Sequence, residues 1–409
     1  MILRRRDARA LDDWAALLRD RGSLPAGAPF PVRRMASPER PRRLPDDVGA
    51  YAEGDAVVAL SARRAGLESV PGSLAELADL ESLDLTGNRL TSLPPSIGAL
   101  TRLRRLHLDG NQVASLPEEV VALARLEELH LDGNPLARLP DGLARLQALR
   151  TLCVYGSGLS SVPSEIGELG RLEYLSLGRA PLASVPGGVW GLKELRALIV
   201  AETRVASVPE RIGDLAHVEM LDLGHNELAA LPEAVGSLTR LTSFLYLSHN
   251  RLAEVPRCLT RLRRLRYLNV TNNRLTALPD SIGAMQGLTE LRLYGNQLRS
   301  VPEAIGELAA LQELYLSDNQ LTALPAAVGR LRSLTHLDLR NNALASLPRD
   351  MGALESLEFL DLRANRLTSL PALVEDLPRL RKLDLRWNKL DTPRAWLEEM
   401  GRRGCAVYV

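Results

Sequence analysis

Prolines that follow Leu or Val recur along this chain at a fixed step. Pro71, Pro94, Pro117, Pro140, Pro163, Pro186, Pro209 and Pro232 lie 23 residues apart. One step of 24 leads to Pro256, and Pro279, Pro302, Pro325, Pro348 and Pro371 resume the 23-residue spacing. Each proline closes a unit such as LESLDLTGNRLTSLPPSIGAL, beginning at Leu80. Written generally as LxxLxLxxNxLxxLPxxIGxL, it recurs about fifteen times between Val57 and Leu390. The 409 residues would otherwise allow two or three ordinary domains. A period of this size selects one array in which each unit packs on its neighbours.

The physics of the unit is readable. Leu83 and Leu85 alternate, as in a short strand with one buried face. The Asn in the ninth slot (Asn88, Asn111, Asn134, Asn226 and onward) carries both a donor and an acceptor. Stacked unit on unit, these side chains can satisfy backbone groups where the chain leaves the strand. The Leu-Pro step sets an extended or tight-turn path, because Pro has a locked φ and no N–H. The IGxL segment buries two more apolar side chains on the return limb. One unit cannot bury its leucines alone, so the units stack into a right-handed solenoid with a parallel sheet on the concave face.

These residues resemble the leucine-rich repeat. The LPxxIGxL ending is similar to the intracellular subclass found in Ras-suppressor-type, Scribble-type and plant Ras-group-related proteins, and in many bacterial proteins. The similarity covers roughly residues 57–391. It implies an α/β horseshoe with a concave parallel sheet and short helical or 3-10 segments on the convex side. Residues 1–50 would then be an N-terminal helix and linker, 51–391 the solenoid, and 392–409 a helix-strand ending. The resemblance implies a protein-binding scaffold or adaptor that takes a partner protein or peptide on the concave sheet. A regulator of a small GTPase or signalling enzyme, or a secreted effector acting on host proteins, are the alternative readings.

Charge and motifs narrow the class further. Fifty-one Lys+Arg against fifty Asp+Glu leave a net charge of +1, without the basic excess of a general nucleic-acid or membrane-surface binder. Cys153, Cys258 and Cys405 are odd in number and far apart, which fits a reducing setting. No signal peptide and no apolar run of about 18 residues is legible, so the expected location is the cytoplasm and the expected state a monomer. No Walker loop, nucleophile elbow or dense ligand motif appears, so neither catalysis nor a cofactor is expected.

At the front, Asp7 is placed to cap a helix that ends before Gly22, with Leu11, Trp14, Ala15 and Leu18 on one face. This helix reads as docked on the first repeat, with recruitment of a partner or an anionic surface as the alternative. A Pro/Arg-rich connector follows from Pro25 to about Arg43, and Leu44-Pro45 with Val48-Gly49 reads as a worn repeat fragment. At the back, Thr392-Pro393 signals a helix start with Trp396, Leu397 and Met400 on its apolar face. The terminal CAVYV reads as a last strand on the sheet edge.

The strand slots between core leucines face the concave surface. Six of the eight tyrosines occupy them (Tyr155, Tyr174, Tyr246, Tyr267, Tyr294 and Tyr315), as do Phe244 and Phe359. Aromatic side chains are preferred anchors of protein interfaces. The main expected binding cluster is therefore Phe244, Tyr246, Tyr267, Tyr294 and Tyr315, with Arg292 among them. It begins where LTSFLYLSHN carries one extra residue, for which the pattern predicts a bulged strand.

A second expected patch holds Tyr155, Tyr174 and Ile199 beside the small outward residues Cys153, Ala197 and Ala201. There the ninth slots carry Ser157, Ala180 and Thr203 in place of Asn. Asp84, His107, His130 and Cys153 share one slot on successive strands, with Asp109 and Asp132 two residues on. A zinc site or a Cys–His pair is conceivable there, but no CxxC or HExxH spacing supports it, and no metal ligand is assigned. His225 and His249 sit at neighbouring turns. Asp338, Asp361 and Asp384 stack beside Arg340, Arg363 and Arg386 as a solvated ion ladder, with a charged docking strip as the alternative.

Overall fold

The leucines that set the period point inward. Leu80, Leu83, Leu85, Leu90, Ile97 and Leu100 are all 0% exposed. Burying each such side chain stabilises by about 1.5–3 kcal/mol, and the pattern repeats in unit after unit. The computed structural model describes residues 2–34, 47–369, 377–390 and 394–409. The expected fragment at Leu44-Pro45, the last proline of the series, Pro371, and the Thr392-Pro393 helix start lie outside the described residues.

Two compact units make up the chain, Met1–Arg204 and Val205–Val409. The first holds helix α1 (Arg5–Asp20) and strands β1 (Val32–Arg34), β2 (Val48–Glu53) and β3 (Ala56–Ala62). It continues with β4 (Ser82–Asp84), β5 (Arg105–His107), β6 (Glu128–His130), β7 (Thr151–Cys153), β8 (Tyr174–Ser176) and β9 (Ala197–Ile199). From β3 to β9 every neighbouring pair is parallel, with each residue opposite the one 23 positions later.

The second unit holds β10 (Met220–Asp222), β11 (Phe244–Tyr246), β12 (Tyr267–Asn269), β13 (Glu290–Arg292) and β14 (Glu313–Tyr315). It ends with β15 (His336–Asp338), β16 (Phe359–Asp361), β17 (Lys382–Asp384), helix α2 (Arg394–Arg402) and β18 (Ala406–Tyr408). These strands are also parallel, and β18 pairs with β17 as the sequence predicts. Each unit is a leucine-rich solenoid of short strands and 3-10 turns.

The return limb explains the rest of the motif. Pro94 (φ −69°, ψ 147°) leads into a 3-10 turn over Pro95–Ala99, closed by Leu100 N–H on Ile97 O at 3.1 Å. The glycine of IGxL is required by close approach. A Cβ on Gly98 would lie 2.7 Å from the Glu119 carbonyl oxygen of the next repeat, and one on Gly329 2.1 Å from that of Asp350.

The ninth-slot asparagines form the expected ladder. Asn88 Oδ1 accepts N–H from Ala65 (2.9 Å) and Leu67 (3.1 Å), while its Nδ2 donates to the carbonyls of Ala62 and Leu85, both at 2.7 Å. Asn319 does the same work in the second unit, accepting from Leu298 N–H (3.0 Å) and donating to Leu293 O (3.1 Å) and Leu316 O (3.0 Å). Each side chain thus satisfies buried backbone groups of two repeats.

Three local expectations are corrected. Asp7 does not cap α1: Arg4 stands at the cap position and makes no side-chain capping bond, and Asp7, 1% exposed, accepts the Val57 N–H at 2.8 Å. The carboxylate is needed to satisfy an amide of β3, so the helix begins two residues earlier than its cap signal. Leu11, Trp14, Ala15 and Leu18 are buried as expected, with Ala10 buried beside them, and Asp79 gathers Arg4, Arg6 (2.9 Å) and Arg102 (2.7 Å) around the docked helix. Next, Val48-Gly49 belongs to β2, which pairs antiparallel with β3, whereas β1 pairs parallel with β2. Finally, β11 carries no bulge. Met220, Leu221 and Asp222 face Phe244, Leu245 and Tyr246 in ordinary register, and the extra residue is absorbed at Thr242–Ser243, ahead of the strand. A loop takes up one residue without breaking a ladder; a three-residue strand cannot.

Candidate functional site

In the second unit the outward slots bring aromatic rings into one row. The register sets Phe244 beside Tyr267 and Arg292 beside Tyr315. Phe244 meets Tyr246 edge-on at 5.0 Å between ring centroids, and Tyr246 meets Tyr267 at 5.0 Å with the rings tilted by 52°. The Arg292 guanidinium then bridges, 5.5 Å over the Tyr267 ring and 5.0 Å over the Tyr315 ring. Such cation–π contacts are worth about 0.5–1 kcal/mol each at exposed sites. All these side chains are half-buried and none is in the core, as the alternation of the strand dictates.

Two glutamates brace the row. Glu290 pairs with Arg292, and Glu313 Oε2 accepts the Tyr315 hydroxyl at 2.7 Å. Burial pushes the Tyr267 and Tyr315 phenols up, so both remain neutral donors at physiological pH. Burial works against the Arg292 charge, but the bond it donates to Glu290 prevails and holds its pKa above the usual value. Sequence reading missed these glutamates, although each precedes its partner by two residues and so shares its face. Tyr294 lies past the end of β13 and, among the described residues, stands outside this chain of ring contacts.

Beyond Tyr315 the face deepens into a pocket of about 190 Å³, lined among others by His336, Phe359, Lys382 and Asp338. His336 stacks on Phe359 at 4.4 Å and 18°. The ion ladder forms within each repeat and also crosses to the next. Arg363 grips Asp361 through Nη2 (2.5 Å) and reaches Asp384 (3.5 Å), while Arg386 binds Asp384 at 2.6 Å. Burial would raise Asp384, but the Arg386 bond outweighs it and holds the carboxyl below its usual value. Asp338 has Arg340 only at 3.9 Å, and burial raises it.

The first unit presents a different face. Asp84, His107, His130 and Cys153 stand in register on β4 to β7. The two imidazoles lie 4.4 Å apart, His107 Nε2 is 3.4 Å from Glu128 Oε2, and His130 Nδ1 is 3.8 Å from Asp109 Oδ2. Burial pushes Asp109 up and Asp132 up to about 6, and it pushes His130 down. The hydrogen bond from His107 holds Glu128 below its usual value. Cys153 is 5% exposed, and burial raises its thiol, the reverse of what a thiolate nucleophile needs.

The second expected patch is smaller than its slots suggested. Cys153, Ala197 and Ala201 are 5%, 2% and 8% exposed, so these outward slots are covered; Tyr155, Tyr174 and Ile199 remain half-buried. Tyr155 is drawn down onto the sheet: its hydroxyl bonds Glu202, and a Cβ on Gly178 would lie 2.7 Å from its ring. Thr203 replaces part of the missing Asn by donating to Val200 O at 3.3 Å. The three cysteines are buried and unpaired with one another. His225 and His249 stack at 3.8 Å on adjacent turns. No helix among the described residues is long and apolar enough to cross a membrane.

Comparison with known proteins agrees with this architecture. Residues 255–343 match the family described as Leucine-rich repeat region, and residues 78–136 and 325–390 match Leucine rich repeat. No curated protein matches the chain in sequence. Among solved structures, a leucine-rich-repeat protein of Leptospira interrogans is 31% identical with a TM-score of 0.79, over 85% of this chain and 94% of that one. A plant peptide hormone receptor, solved in complex with its peptide, is 30% identical with a TM-score of 0.69, over 79% of this chain but 54% of its own length. An internalin of Listeria monocytogenes, at 21% identity and TM-score 0.65, covering 75% of this chain and 90% of that one, shows the shared fold. Folds of this kind are generally non-enzymatic scaffolds for protein–protein interaction. With its repeat, its asparagine ladder and these matches, the chain belongs to the leucine-rich-repeat family.

Proposed function

We propose that this protein is a binding scaffold whose Val205–Val409 unit takes a partner protein or peptide on the outward face of its sheet. The observation that carries the reading is the unbroken row Phe244, Tyr246, Tyr267, Arg292 and Tyr315, half-exposed and internally braced. Rings already held in place lose little side-chain freedom on binding, which favours affinity. Their partly open surfaces can still bury area against a partner, as interface anchors do. Peptide recognition by the similar plant receptor supports this choice of partner class. Tyr294, Tyr155, Tyr174 and Ile199 would widen the footprint but lie outside its braced centre.

The test is selection of a displayed random-peptide library on the purified protein. Selected peptides should bind the wild type and lose about tenfold or more in affinity with Tyr267→Ala plus Arg292→Ala, about 1.4 kcal/mol or more. Undiminished binding to that variant would place the interface elsewhere. A library that yields no binder would count against peptide recognition on this face.

A further inference from the structure

Three potential ligand side chains converge on the face of the first unit. β5 and β6 pair in register, so His107 stands opposite His130. Glu128 precedes His130 by two residues and therefore projects from the same side of the strand. One donor atom from each of His107, Glu128 and His130 lies within 4.8 Å of the other two. A tetrahedral ion with bonds of about 2.0–2.1 Å separates its ligands by about 3.3 Å. The 3.4 Å between His107 Nε2 and Glu128 Oε2 already matches such an edge. With all three donor atoms within 4.8 Å, a side-chain adjustment of His130 closes the triangle.

The surroundings favour a cation. Asp84, Asp109 and Asp132 join Glu128 on this stretch of the face, against Arg105 and the Arg63 guanidinium that lies 3.8 Å from Asp84. Asp109, 3.8 Å from His130 Nδ1, stands where an orienting carboxylate is found behind metal-bound imidazoles. The four side chains at the centre keep 16–31% of their surface exposed, so an ion has a path in and a solvent-facing coordination position. The register of β5 and β6 brings the second imidazole beside the first without any change of backbone. Two imidazoles and one carboxylate suit a borderline divalent ion. We propose that His107, Glu128 and His130 form a Zn²⁺ site, with Asp109 as the carboxylate that positions His130.

The test uses the full chain, freed of any affinity tag, stripped with chelator and titrated with Zn²⁺ by calorimetry. Co²⁺ titration followed by visible absorption reports the ligand geometry. One equivalent should bind. His107→Ala and His130→Ala should each weaken binding about tenfold or more, and Glu128→Gln severalfold. His225→Ala, which breaks the stacked pair of the other unit, should leave it unchanged. The substituted groups lie outside the leucine core, and circular dichroism checks each variant; if an alanine variant fails to fold, the near-isosteric Glu128→Gln decides. Absence of stoichiometric binding, equal loss with His225→Ala, or full affinity in Glu128→Gln together with a folded His107→Ala/His130→Ala double variant overturns the site.

Discussion

The faces of the two units rest on the same backbone and differ in nearly everything else. Both are built on inward leucines and on the same asparagine ladder. On β4 to β7 the outward slots carry two imidazoles and a thiol beside Asp84, Arg105 and Glu128; on β11 to β16 they carry aromatic rings beside Glu290, Arg292, Glu313, Asp338 and Asp361. The acids behave accordingly. Asp109 and Asp132 stand among other carboxylates, and burial raises both. Asp384 has an arginine at 2.6 Å and is held down. Asp338, whose arginine is at 3.9 Å, follows the acids of the first unit, so partner distance decides the sign and not the column. The lesson is that inward slots are constrained by the core, while outward slots are free to take on separate chemistry.

The largest expected effect tests the shared part. Asn111→Ala should cost about 3 kcal/mol or more, because Leu90 N–H and the carbonyls of Leu85 and Leu108 lose their buried partner. Asn319→Ala in the other unit should cost the same within about 1 kcal/mol, read as denaturant midpoints. A large inequality would break the view that one scaffold underlies both faces.

The next effect tests the divergent part. Asp132 rises from 3.8 to about 6, so between those values the folded state holds the extra proton and stability falls as pH rises through the window. Asp384 is lowered, so its contribution is present above its ordinary value and lost as pH falls through the folded one. In chelated buffer at pH about 7, Asp132→Asn should stabilise by about 1 kcal/mol, the full linkage being reduced by partial exposure. Asp384→Asn should destabilise by a similar amount. Equal slopes of stability against pH in the two variants would remove the electrostatic contrast.

The smallest effect concerns the turns that follow the strands. Glycine supplies the left-handed residue at Gly87, Gly110, Gly133 and Gly156 of the first unit and at Gly295 of the second, whereas Arg64, Arg179 and Glu202 in the first and His225, His249, Asn272, Asp318, Asn341, Ala364 and Trp387 in the second adopt it at φ 50–61°. Ala364→Gly should stabilise, and Gly133→Ala destabilise, by up to about 1 kcal/mol each. Calorimetric midpoints moving in the same direction would show that neighbouring packing, and not φ, governs these turns.

Much of the proposed binding face was legible in the sequence. Alternation places Tyr246 and Tyr267 outward because a strand has a period of two, and the 23-residue step places Phe244 beside Tyr267. The bracing by Glu290 and Glu313, the convergence of Glu128 on two imidazoles and the covering of Ala197 were not legible. They depend on rotamers and on contacts between strands, which periodicity does not describe.

Sequence alone determined the solenoid, the inward leucines, the asparagine ladder and the strand register, because each is restated in every repeat and stacking allows one consistent solution. Only the tertiary structure decided what happens where the repetition stops. Asp7 leaves its cap position to satisfy Val57, β2 turns back antiparallel on β3, and the extra residue before β11 disappears into a loop. At such places a buried amide must find whichever acceptor lies nearest in space, and no local pattern names it.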